Sequence, residues 1–406
     1  MKYGIPLMVV AILLAAQSPL LAADKPPALR SEVGKPLQAA QTALQAKNYD
    51  DAKANLAKAE AVGKFTSYES YIFARLSAQA AIGTGDYKGA AAAYEQIIAS
   101  PELPAEEKVQ TLDAYVRINY GIKDYAKTAS AVQQYKQAGG NSAETLGLLA
   151  QSQYLSGQYG EAGQTLAAEI EAAEKAGQRP SDIQLQLLAS CALKQDDMAA
   201  YTRALEKIVA YMPKREYWLD LIVRTSNKPG FSPNLALDVY RLRKATATLE
   251  DSADYMDASQ LALQAGFPAE AKQFIDEGYD RKKLGEGADA ARHKQLKDLV
   301  TRKIAEDRAT LAEGEKVAAA RAAGDALVAT GYNLTTYGEA DRGLKLMEQG
   351  LAKGGLKKPD QAKLLLGYAY QVAGSEDRAQ KTFEDVSGDD GSKDVARLWL
   401  IKSRSM

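Results

Sequence analysis

Asp86-Tyr87-Lys88-Gly89-Ala90 decides the fold, because the phrase recurs. It stands earlier as Asn48-Tyr49-Asp50-Asp51-Ala52. It returns as Asp124-Tyr125-Ala126-Lys127-Thr128 and again as Gln158-Tyr159-Gly160-Glu161-Ala162. The tyrosines at 49, 87, 125 and 159 are 38, 38 and 34 residues apart. A recurring period of that length marks a repeat array rather than one globular core. Such arrays more often present a surface to a partner than carry out chemistry.

Each phrase lies between two one-faced helical patterns. Before Tyr87 run Phe73, Leu76 and Ala80, and after it Ala90, Tyr94, Ile97 and Ile98, spaced three and four apart. Gly85-Asp86 breaks the helix between them, since glycine tolerates the left-handed conformation that closes a helix end. The unit is helix, tight turn, helix. Alanine at position 90 lets the two helices approach. Tyr87 is expected to fill the wedge between successive hairpins, with its hydroxyl toward water.

These residues resemble the tetratricopeptide repeat. The last unit carries Leu366, Gly367 and Tyr370 on its first helix, Gly374 at the turn, and Ala379 and Phe383 on its second. Ala78, Gly85, Tyr87, Ala90 and Tyr94 follow the same pattern. So do Gly266-Phe267-Pro268 with Ala271 and Ile275, and Tyr337 with Ala340 and Leu344. Thr128 departs from the pattern where alanine is usual, and 196–205 keeps only its outline. The resemblance spans most of residues 33–386. It implies an all-α superhelix, a solenoid of roughly eight to ten hairpins, whose first helices line a concave face. In that register the inward residues are Arg75, Gln79, Arg117, Tyr120, Gln151, Tyr154 and Tyr368. Tyrosine, arginine and glutamine suit a peptide-binding groove, giving contact area and adaptable hydrogen bonds.

Residues 1–23 read as a secretory signal: Lys2, a short apolar run over 5–16, Pro19, then Leu21-Ala22-Ala23 before Asp24. Cleavage there leaves a net charge of −2, one lysine fewer than the −1 of the whole chain. A near-neutral chain has no global attraction to nucleic acid or to an anionic membrane. No other apolar run approaches the length of a membrane span, so the mature chain is expected to insert in no membrane. The lone Cys191, in the apolar run 185–193, cannot form an internal disulfide and is expected in the core. The address expected is the periplasm.

Further along, 24–33 reads as an extended leader and 34–212 as an N-terminal array. Residues 213–279 are irregular middle repeats, with Pro233 suited to the first turn of a new helix. Residues 280–320 form a charged, more exposed helix or helix pair, with glycines 285, 287 and 314 marking its ends. Hairpins at 321–351 and 360–386 and a capping helix at 395–402 complete a C-terminal region, 321–406. Within 213–246, Tyr217-Trp218-Leu219-Asp220-Leu221, Pro229-Gly230-Phe231 and Leu237-Asp238-Val239-Tyr240-Arg241-Leu242-Arg243 resemble a group of periplasmic repeat proteins. That group occurs in Gram-negative bacteria beside TonB–ExbB–ExbD energy-transduction components.

Catalysis is not expected. The one histidine, His293, lies in the charged segment, away from Cys191, so no usual zinc site can form. No His–Glu metalloprotease helix or nucleophile elbow occurs. Gly285-Glu286-Gly287 follows no strand and reads as a helix break. Paired acids at 50–51, 196–197 and 389–390 sit at turns, where carboxylates cap helices. The expectation is a periplasmic scaffold that binds a protein or peptide segment, without cofactor or metal, as an accessory of a TonB-type complex. The alternatives are a scaffold for outer-membrane or exopolysaccharide assembly and, from another class, a cell-wall glycan enzyme.

Overall fold

A computed structural model describes residues 28–404. The signal expected at 1–23 lies outside the described residues, as does 24–27 of the leader. The described residues are helical with no strand, and they fall into two compact units, one ending at Ala172 and the other beginning at Ala173.

The first unit holds α1 (Ser31–Gln45), α2 (Tyr49–Val62), α3 (Ser67–Gly83), α4 (Tyr87–Ala99), α5 (Ala105–Gly121) and α6 (Tyr125–Gln137). The one-turn α7 (Ala143–Leu146) and α8 (Leu148–Leu155) follow, and α9 (Tyr159–Lys175) begins in this unit. The recurring phrase is the turn of each hairpin. Asn48, Asp86 and Asp124 are N-caps whose side chains accept from the backbone N–H three residues on. The residue before each cap has positive φ: Lys47 at 57°, Gly85 at 73°, Lys123 at 63° and Gly157 at 83°. The cap N–H reaches back five residues, from Asn48 to Ala43, Asp86 to Ala81, Asp124 to Asn119, and Gln158 to Gln153. This is the closure that satisfies the last carbonyls of a helix. Lys47 and Lys123 bear the strain that glycine avoids at positions 85 and 157.

The tyrosine that opens each second helix is half-buried. Tyr87 packs against a core drawn from α3 to α6. Tyr49 lies over the end of α3, where a Cβ added at Gly83 would fall 2.0 Å from its ring. The wedge role is therefore visible at Tyr49, which joins the first hairpin to the second.

Glu69 ties the start of the array together. It is fully buried and accepts from the Arg30 backbone N–H, Nε and Nη2 at 3.0, 3.0 and 2.7 Å. It also closes a capping box with Thr66 at the head of α3. Hydrogen bonding from Arg30, against the opposing effect of burial, lowers the Glu69 carboxyl from the ordinary 4.5 to about 2. Its contribution is thus present above about pH 4.5 and is lost as pH falls through 2. Denaturant midpoints of the wild type and Glu69→Gln should differ most above pH 5 and converge toward pH 2. A gap that stays constant over that range would mean that the carboxylate charge is not what holds Arg30.

The second unit holds α10 (Asp182–Lys194), α11 (Met198–Tyr211), α12 (Arg215–Ser226), α13 (Ala236–Ala245), α14 (Ser252–Gln264) and α15 (Pro268–Asp280). The long α16 (Ala290–Ala320) is followed by α17 (Asp325–Thr336), α18 (Ala340–Lys353), α19 (Pro359–Val372), α20 (Glu376–Glu384) and α21 (Ser392–Arg404). Pro233 opens a 3-10 turn, Pro233–Leu235, leading into α13. Hairpin α17/α18 is closed backbone to backbone on glycine. A Cβ at Gly331 would lie 2.5 Å from the Gly343 carbonyl oxygen, and one at Gly343 would lie 2.4 Å from that of Gly331.

Two expectations about 280–320 are corrected. Gly314 does not end a helix; α16 runs through it as one helix of 31 residues. His293 is buried, not exposed, because the Leu284–Gly285 loop folds over it and the Gly285 N–H donates to its Nδ1 at 3.1 Å. Most of the rest of α16 is exposed, as its charge implies. Cys191 is buried on α10, and burial pushes its thiol up to about 11.

The last helix does more than cap the end. α21 packs on α19 and α20 and also on α11 and α13, far back in the chain. Lys228 pairs with Asp394 at 2.9 Å and Arg397 with Glu206 at 2.8 Å. The Ser232 N–H donates to the Asp390 carbonyl at 2.8 Å. The second unit is therefore closed on itself. The change of composition at residue 213 falls inside it, because α11 shares α21 with the helices that follow.

Candidate functional site

In the first unit, six of the seven expected groove residues lie on the first helices of consecutive hairpins. Arg75 and Gln79 are on α3, Arg117 and Tyr120 on α5, and Gln151 and Tyr154 on α8. Register explains the grouping. Tyr120 and Tyr154 each stand five residues before a turn tyrosine, and Gln79, Arg117 and Gln151 each stand eight before one. The two tyrosines adopt the same geometry. Tyr120 meets Tyr125 edge-on at 5.7 Å and 68°, and Tyr154 meets Tyr159 at 5.3 Å and 67°. Each half-buried ring is held by its own hairpin turn, which leaves it few conformations to lose on binding. Partial burial pushes the Tyr120 phenol up.

The arginines of the row are engaged. Arg117 Nη1 and Nη2 donate to the two Glu144 oxygens at 2.9 and 3.2 Å, and its Nε donates to Asp113 at 2.8 Å. Those carboxylates hold the guanidinium firmly charged. Asp113 also accepts from the Thr145 hydroxyl. Arg75 donates to the Tyr71 hydroxyl at 2.9 Å and pairs with Glu107 at 3.1 Å. These bonds link α3 to α5 and α5 to α7. They orient the row more than they stabilise it, since exposed pairs contribute about 0–1 kcal/mol. Gln79 and Gln151 are exposed.

Tyr368 is not on that row. It is buried in the second unit, and this corrects its expected place on an open groove. Its ring lies 5.2 Å from the Arg241 guanidinium carbon and 5.5 Å from Trp399. The reason is Arg241, itself 3% exposed. Its Nε and Nη2 grip Glu270 at 2.7 Å each, and Nη1 donates to Asp238 at 2.7 Å. Phe267, Tyr332 and Tyr368 surround the guanidinium at 5.7, 5.0 and 5.2 Å. Burial alone would disfavour the charge, but Glu270 and Asp238 outweigh it and keep Arg241 protonated. Burial pushes the Asp238 carboxyl up, against the pull of Arg241.

Asp238 and Arg241 belong to the string at 237–243 that the sequence singled out, and the structure places both in the core. Trp218, from the same region, is 1% exposed and is core as well. Tyr240 is half-buried, with the Arg243 guanidinium carbon 5.4 Å from its ring centre. Among the described residues no group of His, Cys, Asp and Glu is placed to hold a metal ion. No described helix is long and apolar enough to cross a membrane.

No family model matches the sequence, and no curated protein matches it closely. Solved structures similar to the chain include tetratricopeptide-repeat proteins. One is a tetratricopeptide repeat protein from Parabacteroides merdae, at 11% identity and TM-score 0.27, covering 84% of this chain and 99% of that one. Yeast Tom70 is similar at 11% identity and TM-score 0.25, covering 92% and 95%. The TPR domain of P58(IPK) is similar at 15% identity and TM-score 0.24, covering 92% and 99%. The all-α hairpin fold stands on the helices and turns described above.

Proposed function

We propose that this chain is a non-catalytic scaffold of the periplasm that holds a segment of a partner protein along the first helices of its N-terminal unit. One observation carries the reading: Gln79, Arg117 and Gln151 share one register on consecutive hairpins and Tyr120 and Tyr154 share another, with the tyrosines pre-set by their turns. Export is supported by the signal-like segment at 1–23. The sharper form, an accessory of a TonB-type envelope complex, is supported by the strings at 217–221, 229–231 and 237–243.

Anchors of this kind typically cost about 1–4 kcal/mol each when truncated. Tyr120→Ala combined with Tyr154→Ala should therefore weaken capture of the partner from periplasmic extract at least about tenfold, while circular dichroism stays near wild type. Equal capture by a folded double variant would remove the row from the site. Energy-transduction components among the captured proteins support the sharper form, and their absence sinks it.

A further inference from the structure

The turn tyrosines set a second register. Eight residues before Tyr49, Tyr87, Tyr125 and Tyr159 stand Gln41, Gln79, Arg117 and Gln151. Nine residues before them stand Ala40, Ala78, Val116 and Ala150, all buried. The buried residue fixes the rotation of each first helix. The next side chain therefore leaves the same side of all four.

Gln41, Gln79 and Gln151 are exposed, and within the described residues their amides bond to nothing. A lone exposed glutamine on a helix only solvates it. Three free amides at one register of four successive first helices form a row of paired donors and acceptors. A main-chain amide offers the same pair of groups in the same planar unit.

Charge narrows the ligand. Arg117 is committed to Asp113 and Glu144, and Arg75 to Glu107, so the row sets two cations against three carboxylates. A polyanion is repelled there, and a neutral or mildly basic segment is not. Packed helices lie about 8–10 Å apart. An extended chain rises about 3.3 Å per residue. Each interval thus matches about three residues, and the three intervals between four rungs match a segment of roughly seven to nine, within the reach of a 12-residue peptide.

We infer that Gln41, Gln79 and Gln151, with Arg117 held by Asp113 and Glu144 at the same register between them, form a hydrogen-bonding ladder that reads the main chain of an extended, neutral-to-basic peptide segment. This rests on the scaffold reading and deepens it: recognition is by backbone, so side-chain sequence matters little.

The test uses random 12-residue peptides displayed as a library and selected on the full chain. Binders are then measured by fluorescence anisotropy. The triple variant Gln41→Met, Gln79→Met, Gln151→Met keeps side-chain length and removes the amides. It should bind selected peptides at least tenfold more weakly, with an unchanged melting curve. N-methylation of alternate backbone nitrogens of the peptide should cost as much, whereas alanine scanning of its side chains should mostly cost less than threefold. A folded triple variant that binds like wild type overturns the ladder. So does indifference to N-methylation, or a library that yields no binder. If binding survives the triple change but fails in Tyr120→Ala with Tyr154→Ala, the scaffold reading stands and the ladder falls. If neither change matters, both fall.

Discussion

Glu270→Ala should unfold the second unit or bring it to the edge of unfolding. Glu270 is 1% exposed and holds Arg241 through two bonds of 2.7 Å. Removing it leaves a buried guanidinium with Asp238 as its only carboxylate. Breaking a buried pair from one side costs about 3–5 kcal/mol, a large part of what a domain has. The guanidinium sits among α13, α15, α17 and α19, so the loss is shared. Hydrogen exchange should show all four helices losing protection together, with residues 31–137 less affected. Loss confined to α15, or a melting curve like that of the parent, would mean that Arg241 relaxes to water at little cost. The triple change Asp238→Asn, Arg241→Met and Glu270→Met should be milder than Glu270→Ala, because no buried charge is then left unpaired.

Trp399→Ala should open the second unit at its seam. Trp399 stacks on Phe383 at 5.9 Å and 5° and packs on Tyr368 at 5.5 Å. With Val395 and Leu398, both 1% exposed, it supplies the apolar face of α21. Truncating a large buried aromatic costs about 3–5 kcal/mol. Arg397→Ala removes a half-exposed ion pair on the same helix and should cost under about 1 kcal/mol. Limited proteolysis should release the C-terminal helix from the tryptophan variant well before the parent, and should leave the arginine variant near the parent. The reverse order would place the closure in the ion pairs.

The hairpins were legible because their turns repeat a chemical requirement. A cap residue and a tyrosine must follow a left-handed position, and that demand leaves the same letters each time. Lys47, Lys123 and Asp196 show the limit: they hold positive φ without glycine, so counting glycines alone would miss three turns. Closure of the second unit was not legible. Lys228 and Asp394 meet across 166 residues, and no local period records that. In the sequence Arg241 is only one member of the string at 237–243. Only the positions of α15, α17 and α19 make it core, and they take Tyr368 with it. His293 was misread for the same reason: its neighbours in sequence are charged, and its burial depends on the loop at 284–285. Gln41 was within reach. Its signal is the count back from Tyr49, obscured because α1 buries Leu37 where α3 and α5 carry Arg75 and Asp113.

The most direct measurement of the central claim is site-specific photo-crosslinking in cells, with a photoreactive amino acid placed singly at position 79, 151 or 372. Gln79 and Gln151 lie on the row in the first unit; Val372, half-exposed at the end of α19, is a surface position in the second. If the chain holds a partner segment along the first helices, positions 79 and 151 should give the same protein adduct, and 372 should give none or far less. Adducts from 372 alone, or distinct adducts from 79 and 151, would contradict a shared segment bound along that row.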